Sequence, residues 1–178
     1  MRFPTCLLLC VLGASVVCAD PSAEEEAFLL VPGATHPAKK SQQTFRVADL
    51  PAGMVEILRG FDWGAPDGAL RSELHGFTFD LNKDGKPEYF FATIYGGSGG
   101  PDYMILTETA DGWKVIGGFQ GALNVMPIVA GWPDLVTTTR GGGGIWAKVH
   151  QSFRNGKYVR TLIDHYESGV ITTETIRE

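Results

Sequence analysis

Two passages of similar order follow each other in the second half of the chain, about 45 residues apart. Each contains a Pro-acidic turn, an apolar strand, a glycine run, a second strand, and a hairpin turn before an aromatic residue. The equivalent turns, glycine runs and hairpins are 85–88 and 131–134, 96–100 and 141–144, and 111–113 and 155–158. Several strands in a unit of this length are typical of a propeller blade or a similar sheet unit. We therefore expect repeats at about 76–121 and 122–165, and two units are too few to close a propeller.

The apolar pattern from residue 76 onward has the period of β-strands. Phe77, Phe79 and Leu81 alternate with polar residues, whereas 88–95 is aromatic or β-branched on both faces, which indicates a central strand. The chain has 23 glycines, and this number favours turns over long helices. The predicted fold class is mainly β (α+β with one short helix near the N-terminus), as an antiparallel sheet built from two propeller-blade-like repeats. Further strands are predicted at 103–109, 113–116, 122–129, 135–140, 145–153, 157–165 and 168–176.

The residues before the β-rich part predict little regular structure. Apolar side chains at i, i+3 and i+4, followed by a glycine, predict one short amphipathic helix over 51–59. Residues 69–75 are expected to make a further helical turn. Residues 20–44 are polar and show no sustained period, which predicts a flexible, mostly extended arm. Residues 45–178 then form a single β-rich domain.

Residues 1–19 have the features of a secretory signal peptide. Arg2 precedes an apolar run over 6–17, and small residues precede a predicted cleavage site after Ala19. An uncleaved anchor is the alternative, although the run is short for a bilayer; lipidation at Cys18 is disfavoured because Val17 precedes it. Cleavage predicts a periplasmic or extracellular protein without an integral membrane segment.

Cysteine content and charge restrict the chemistry of the mature chain. All three cysteines lie within residues 1–19, so the mature protein enters an oxidising compartment without disulfides. The whole chain has a formal net charge of −5, which becomes about −6 when Arg2 is removed. This negative charge argues against nucleic acid and anionic membrane surfaces as partners.

The most specific chemical motif is the loop at residues 80–88. Oxygen-bearing side chains stand on alternate positions and converge on one hard cation when a glycine permits the sharp turn, as Gly85 does here. The predicted ligands of one structural Ca²⁺ are Asp80, Asn82, Asp84, the main-chain carbonyl of Lys86, and Glu88. The second repeat carries Met126, Ile128 and Ala130 at the first three positions, so only the first is expected to bind the ion. The alternative is a metal-free turn in which Asp and Asn cap backbone N–H groups.

This loop, which follows Phe-Thr-Phe and precedes an aromatic strand, resembles the calcium loop of FG-GAP (VCBS-type, integrin-propeller-like) repeats. The family pattern is D-x-[DN]-x-D-G-x-x-[DE] between two strands, and the resemblance covers 77–95 well and 76–165 loosely. It implies a structural calcium ion and a small, single-domain secreted relative of such repeats. The number of units departs from the family. An EF-hand is excluded because it needs flanking helices and a Glu where Phe91 stands.

These features favour a secreted, non-enzymatic, calcium-binding β-domain that acts as a binding or interaction module. The expected partner is a protein, such as a toxin or an envelope enzyme that it inhibits, or a glycan. The two glycine-rich loops are expected to lie near each other, and they either form the binding surface or are only two tight connections between strands. The flanking residues of that surface are Ser98, Asp102, Tyr103, Arg140 and Trp146.

Two alternatives remain open. Residues 96–100 match the G-x-S-x-G pattern of a hydrolase nucleophile, which predicts Ser98 acting with His150 or His165. That motif needs a helix after the turn, whereas a β-rich stretch follows here. The other alternative is a purely structural envelope domain.

Overall fold

The structure is a computed structural model, and it describes residues 22–37, 42–63, 69–129 and 131–177. Within these ranges the chain forms two short helices, a 3-10 turn at Val47–Asp49 and ten strands. The helices are α1 (Ala23–Leu29) and α2 (Ala52–Arg59). The strands are β1 (Gln43–Arg46), β2 (Glu73–Phe79), β3 (Glu88–Gly97), β4 (Gly100–Thr109), β5 (Gly112–Gln120), β6 (Ala122–Val125), β7 (Leu135–Gly142), β8 (Ile145–Arg154), β9 (Lys157–Glu167) and β10 (Val170–Thr175).

The strands form two antiparallel sheets of five strands each. The first sheet runs β1-β2-β3-β4-β5 and the second runs β10-β9-β8-β7-β6, so chain neighbours are also sheet neighbours. The prediction of a mainly β, antiparallel fold with a short helix is confirmed, and the described strands do not close into a propeller. Strand β3 is central in its sheet, as its two apolar faces predicted.

In both sheets the strands follow the order of the chain, and both sheets contain a register shift at an equivalent place. The β4–β5 register shifts between Ile105 and Leu106, and the β8–β9 register shifts between His150 and Gln151. These two bulges lie about 45 residues apart, which is the spacing of the sequence repeat. The observation supports internal duplication, and the repeat boundaries stay a prediction.

One hydrophobic core lies between the sheets. The first sheet contributes buried residues such as Phe77, Phe90 and Ile105, and the second contributes Leu135 and Tyr158. Burial raises the pKa of the Tyr158 phenol, and its hydroxyl donates to the Pro133 carbonyl at 3.1 Å. Each fully buried apolar side chain stabilises the fold by about 1.5–3 kcal/mol, so this shared core fixes the sheets against each other.

The outer face of the first sheet is covered by α2. Met54 and Leu58 are fully buried against Leu74, Phe91 and other side chains of that face. The helix therefore forms where the sequence pattern predicted it, because its apolar stripe faces the sheet.

The helix α1 packs on part of the outer face of the second sheet. Ser22 and Glu25 form a capping box at the helix N-terminus. Phe28 packs on Tyr166 with ring centroids 5.3 Å apart, and the Trp146 indole donates to Glu25 at 3.3 Å. The prediction of a mostly extended segment is therefore wrong for this stretch, since a cap and a distant aromatic partner stabilise a helix.

Two further predictions differ from the structure, and a third concerns residues that the structure does not describe. Residues 73–75 are strand rather than helical turn, because β2 pairs with β1 and places Leu74 in the α2-facing core. The strand predicted for 122–129 ends at Val125. The predicted signal peptide lies outside the described residues. Among the described helices, neither has the length and apolar character needed to cross a bilayer.

The chain passes from the first sheet to the second at Gly121. This residue has φ +86°, and a Cβ there would lie 2.2 Å from the Thr138 carbonyl oxygen. We expect Gly121→Ala to lower the free energy of unfolding by at least about 2 kcal/mol, from backbone strain together with the clash. Gly131→Ala is the matched control, because Gly131 has φ +69° but open space. Urea denaturation measures the free energy of unfolding of both variants. Equal decreases in Gly121→Ala and Gly131→Ala would contradict the close packing at Gly121.

Candidate functional site

The loop at residues 80–87 joins β2 to β3 directly beside the shared core. Within the loop, Leu81 is buried in that core, while Lys83 and Gly85 take left-handed conformations with φ 58° and 88°. The loop therefore makes its sharp turn at Gly85, as the motif requires.

Three side-chain oxygens of the loop accept backbone N–H groups within it. Asp80 Oδ2 accepts from Gly85 N at 3.0 Å, Asn82 Oδ1 from Asp84 N at 3.1 Å, and Asp84 Oδ1 from Lys86 N at 2.8 Å. The hydrogen bond from Lys86 N also lowers the pKa of the Asp84 carboxyl. These bonds hold the turn in shape, and they suit both a metal loop and a metal-free turn.

Two carboxylate oxygens of the loop keep the capacity to bind a cation. Asp80 Oδ1 is buried and has no hydrogen-bond partner among the described residues. Asp84 Oδ2 meets only the Asn82 amide nitrogen, at 3.0 Å. A buried carboxylate oxygen without a donor is costly, and a cation removes that cost. On this observation, the donor set fits a hard cation.

Glu88 is the most enclosed member of the predicted ligand set, with an exposed fraction of 1%. Its Oε2 accepts from Leu81 N at 2.7 Å and its Oε1 from the Thr107 hydroxyl at 2.9 Å. Burial raises the pKa of the Glu88 carboxyl, although both hydrogen bonds act in the opposite direction. Each oxygen keeps a second lone pair, so Glu88 both ties the loop to β4 and retains ligand capacity. No local pattern in the sequence identifies Thr107 as its partner.

The Lys86 side chain points away from the loop, as the motif predicts for a residue that offers only its carbonyl. Its Nζ pairs with Glu108 at 3.2 Å. Within the described part of the chain, no three Asp, Glu, His or Cys side chains come together as a metal-holding group. A calcium site here would therefore depend on the Asn82 amide and the Lys86 carbonyl as well as on carboxylates.

The two glycine-rich hairpins lie against each other, as predicted. A Cβ on Gly99 would lie 3.1 Å from Thr139 Oγ1, and one on Gly142 would lie 3.9 Å from Ser98 Oγ. The flanking residues do not form one surface, however. Tyr103 lies in the shared core, and Trp146 faces α1 through Glu25.

The geometry gives no support to a serine triad. His150 Nε2 pairs with Asp164 at 3.1 Å, and His165 Nε2 lies 3.9 Å from Glu174. In the described ranges, no hydrogen bond joins Ser98 to either histidine ring.

A groove of about 520 Å³ crosses the outer face of the second sheet, beside α1. Its apolar lining includes Met126, Val136 and Leu162, and the polar groups around it include Lys148, His150 and Asp164. Lys148 Nζ donates to the Leu30 carbonyl at 3.0 Å and lies 4.8 Å from the centre of the Phe28 ring. Burial lowers the pKa of Lys148. The sequence did not indicate this groove, since its walls come from separate segments.

Comparison with known proteins yields no relative. The chain matches no protein-family model, and neither a curated protein nor a solved structure shows significant similarity to it.

The Glu88–Thr107 contact can be tested in calcium-free protein. Glu88→Gln retains both bonds, because its amide oxygen can accept from Leu81 N and its NH₂ can donate to the Thr107 hydroxyl. We expect a change of less than about 1 kcal/mol in the free energy of unfolding. Thr107→Val removes the donor of a buried oxygen and is expected to cost about 1–3 kcal/mol. Urea denaturation in EDTA measures the free energy of unfolding of both variants. A smaller decrease for Thr107→Val than for Glu88→Gln would contradict the hydrogen bond between Glu88 and Thr107.

Proposed function

We propose that this chain is a secreted, non-enzymatic β-domain that acts as a binding module and is stabilised by one calcium ion. The observation that carries the binding role is the 520 Å³ groove on the second sheet. Ligand sites typically have volumes of about 300–1,000 Å³, with an apolar lining and a few convergent polar groups. The groove has this character, since an apolar floor meets Lys148 and the His150–Asp164 pair.

The proposed calcium ion would be held by the loop between β2 and β3. Its ligands would be Asp80, Asn82, Asp84, the Lys86 carbonyl and Glu88. The ion supplies positive charge to oxygens that the fold brings together, above all to the unpartnered Asp80 Oδ1. Because Glu88 already ties the loop to β4 through Thr107, an ion there would stabilise the centre of the first sheet. Residues 20–178 contain no cysteine that could stabilise the fold instead.

Calcium removal should lower the melting temperature. A ligand that binds only the folded state at 100 times its Kd contributes about 2.7 kcal/mol, which corresponds to roughly 5–10 °C for a domain of this size. We expect Asp84→Asn to abolish most of this difference between melts in Ca²⁺ and in EDTA.

Asp111→Asn is the control, because Asp111 is exposed in the β4–β5 hairpin and pairs only with Lys114 there. It should keep the full calcium effect. Superimposable melts of the wild-type protein in Ca²⁺ and EDTA would rule out a stabilising ion.

The groove is tested by blocking it. Ser152 lines the groove, so Ser152→Phe should fill it while leaving the shared core intact. Thr172→Phe is the matched control, because Thr172 is exposed on β10 of the same sheet and does not line the groove. Immobilised wild-type and variant proteins are incubated with an envelope extract, and the captured molecules are quantified by mass spectrometry. We expect a component that wild type and Thr172→Phe retain and Ser152→Phe loses. Equal capture by all three proteins, or capture by none, would contradict a role for the groove.

A further inference from the structure

A second cavity, of about 220 Å³, lies between the two sheets. Residues from β5, β7, β8 and β9 line it, among them Phe119, Thr139, Ala147, Gln151, Arg160 and His165. Alternation along β8 separates it from the groove, since Ala147 and Gln151 face inward while Lys148 and His150 face outward. The cavity is therefore a distinct site on the opposite face of the second sheet.

The lining of this cavity combines apolar and polar side chains, whereas the core between the sheets is mainly apolar. Thr137 and Gln151 belong to it and are buried, with exposed fractions of 1% and 4%. Buried polar groups are costly unless each finds a hydrogen-bond partner. The buried polar groups in the lining thus point to an occupant that supplies hydrogen bonds.

The Gln151 side chain indicates which kind of group an occupant of the cavity must supply. Its Nε2 donates to the Gly118 carbonyl at 3.1 Å, which fixes the orientation of the amide. The other end, Oε1, is buried and has no partner among the described residues. The occupant must therefore present a hydrogen-bond donor to this oxygen.

The glycine hairpin between β3 and β4 leaves room beside the cavity. Gly99 approaches Gln120 and Thr139, which both line the cavity. A Cβ on Gly99 would lie 3.0 Å from the Gln120 amide and 3.1 Å from Thr139 Oγ1. A side chain at this position would push these two groups from their places.

We propose that this cavity binds a single acidic sugar residue of the uronic acid type. Sugar hydroxyls both donate and accept, so they match Gln151 Oε1 and the Thr139 hydroxyl together. Phe119 and Ala147 offer apolar contacts to the C–H groups of a ring. The volume lies below that of drug-sized ligand pockets, which limits the ligand to one small residue.

A positive charge at the cavity favours an acidic sugar over a neutral one. Arg160 is exposed and lines the cavity, where its guanidinium can pair with a carboxylate. No Asp or Glu of the described residues lines the cavity. Sugar binding in this cavity requires neither the calcium ion nor the groove.

Calorimetric titration and saturation-transfer NMR test this site on the full mature chain in calcium buffer, with D-glucuronate and D-glucose as probes. We expect glucuronate to bind about tenfold more tightly than glucose, since one charge-assisted hydrogen bond contributes at least this much. Arg160→Gln, an exposed change, should reduce glucuronate affinity to that of glucose. Ala147→Leu should fill the cavity and abolish binding of both sugars.

The groove variant Ser152→Phe serves as the control and should bind glucuronate like wild type, whatever its effect on groove partners. Failure of folded wild-type protein to bind either sugar would show that water alone fills the cavity and would overturn the proposal. Equal affinity for the two sugars, or undiminished binding by folded Arg160→Gln, would also overturn it.

Discussion

The architecture depends on the packing of two antiparallel sheets across one hydrophobic core. At its centre, Gly117 approaches Tyr158 so closely that a Cβ on Gly117 would lie 2.9 Å from the Tyr158 Cβ. This approach brings the Tyr158 side chain of the second sheet against the first sheet. The helices then pack on the two outer faces, α2 on the first sheet and α1 on part of the second. Each functional candidate has its place in this layering. The loop lies at the edge of the core, the cavity lies between the inner faces of the sheets, and the groove lies on the outer face of the second sheet.

The loop between β2 and β3 shows how a local motif and a distant contact act together. The backbone hydrogen bonds of Asp80, Asn82 and Asp84 shape the turn from within. Glu88 connects that turn to β4 through the Thr107 hydroxyl. Binding of an ion to such a loop would therefore affect two strand pairs, since β3 lies between β2 and β4.

Features that depend only on a few consecutive residues could be read from the sequence. The two apolar faces of β3 and the Asn155-Gly156 hairpin are examples, because burial and turn geometry act over a few residues. Features that depend on distant partners could not. Phe28 becomes helical and buried through Tyr166, and Leu74 becomes a strand residue through pairing with Phe45. The groove and the cavity also join residues from separate strands, so no local pattern marks either of them.

Native-state hydrogen exchange tests the proposed calcium site most directly. Leu81 N–H donates to Glu88, and Gly85 N–H donates to Asp80, so both amides report on the loop itself. We expect Ca²⁺ to slow their exchange and that of β3 relative to EDTA, with little change in the outer strands of the second sheet. Exchange rates at Leu81 and Gly85 that are the same with and without Ca²⁺ would contradict the account.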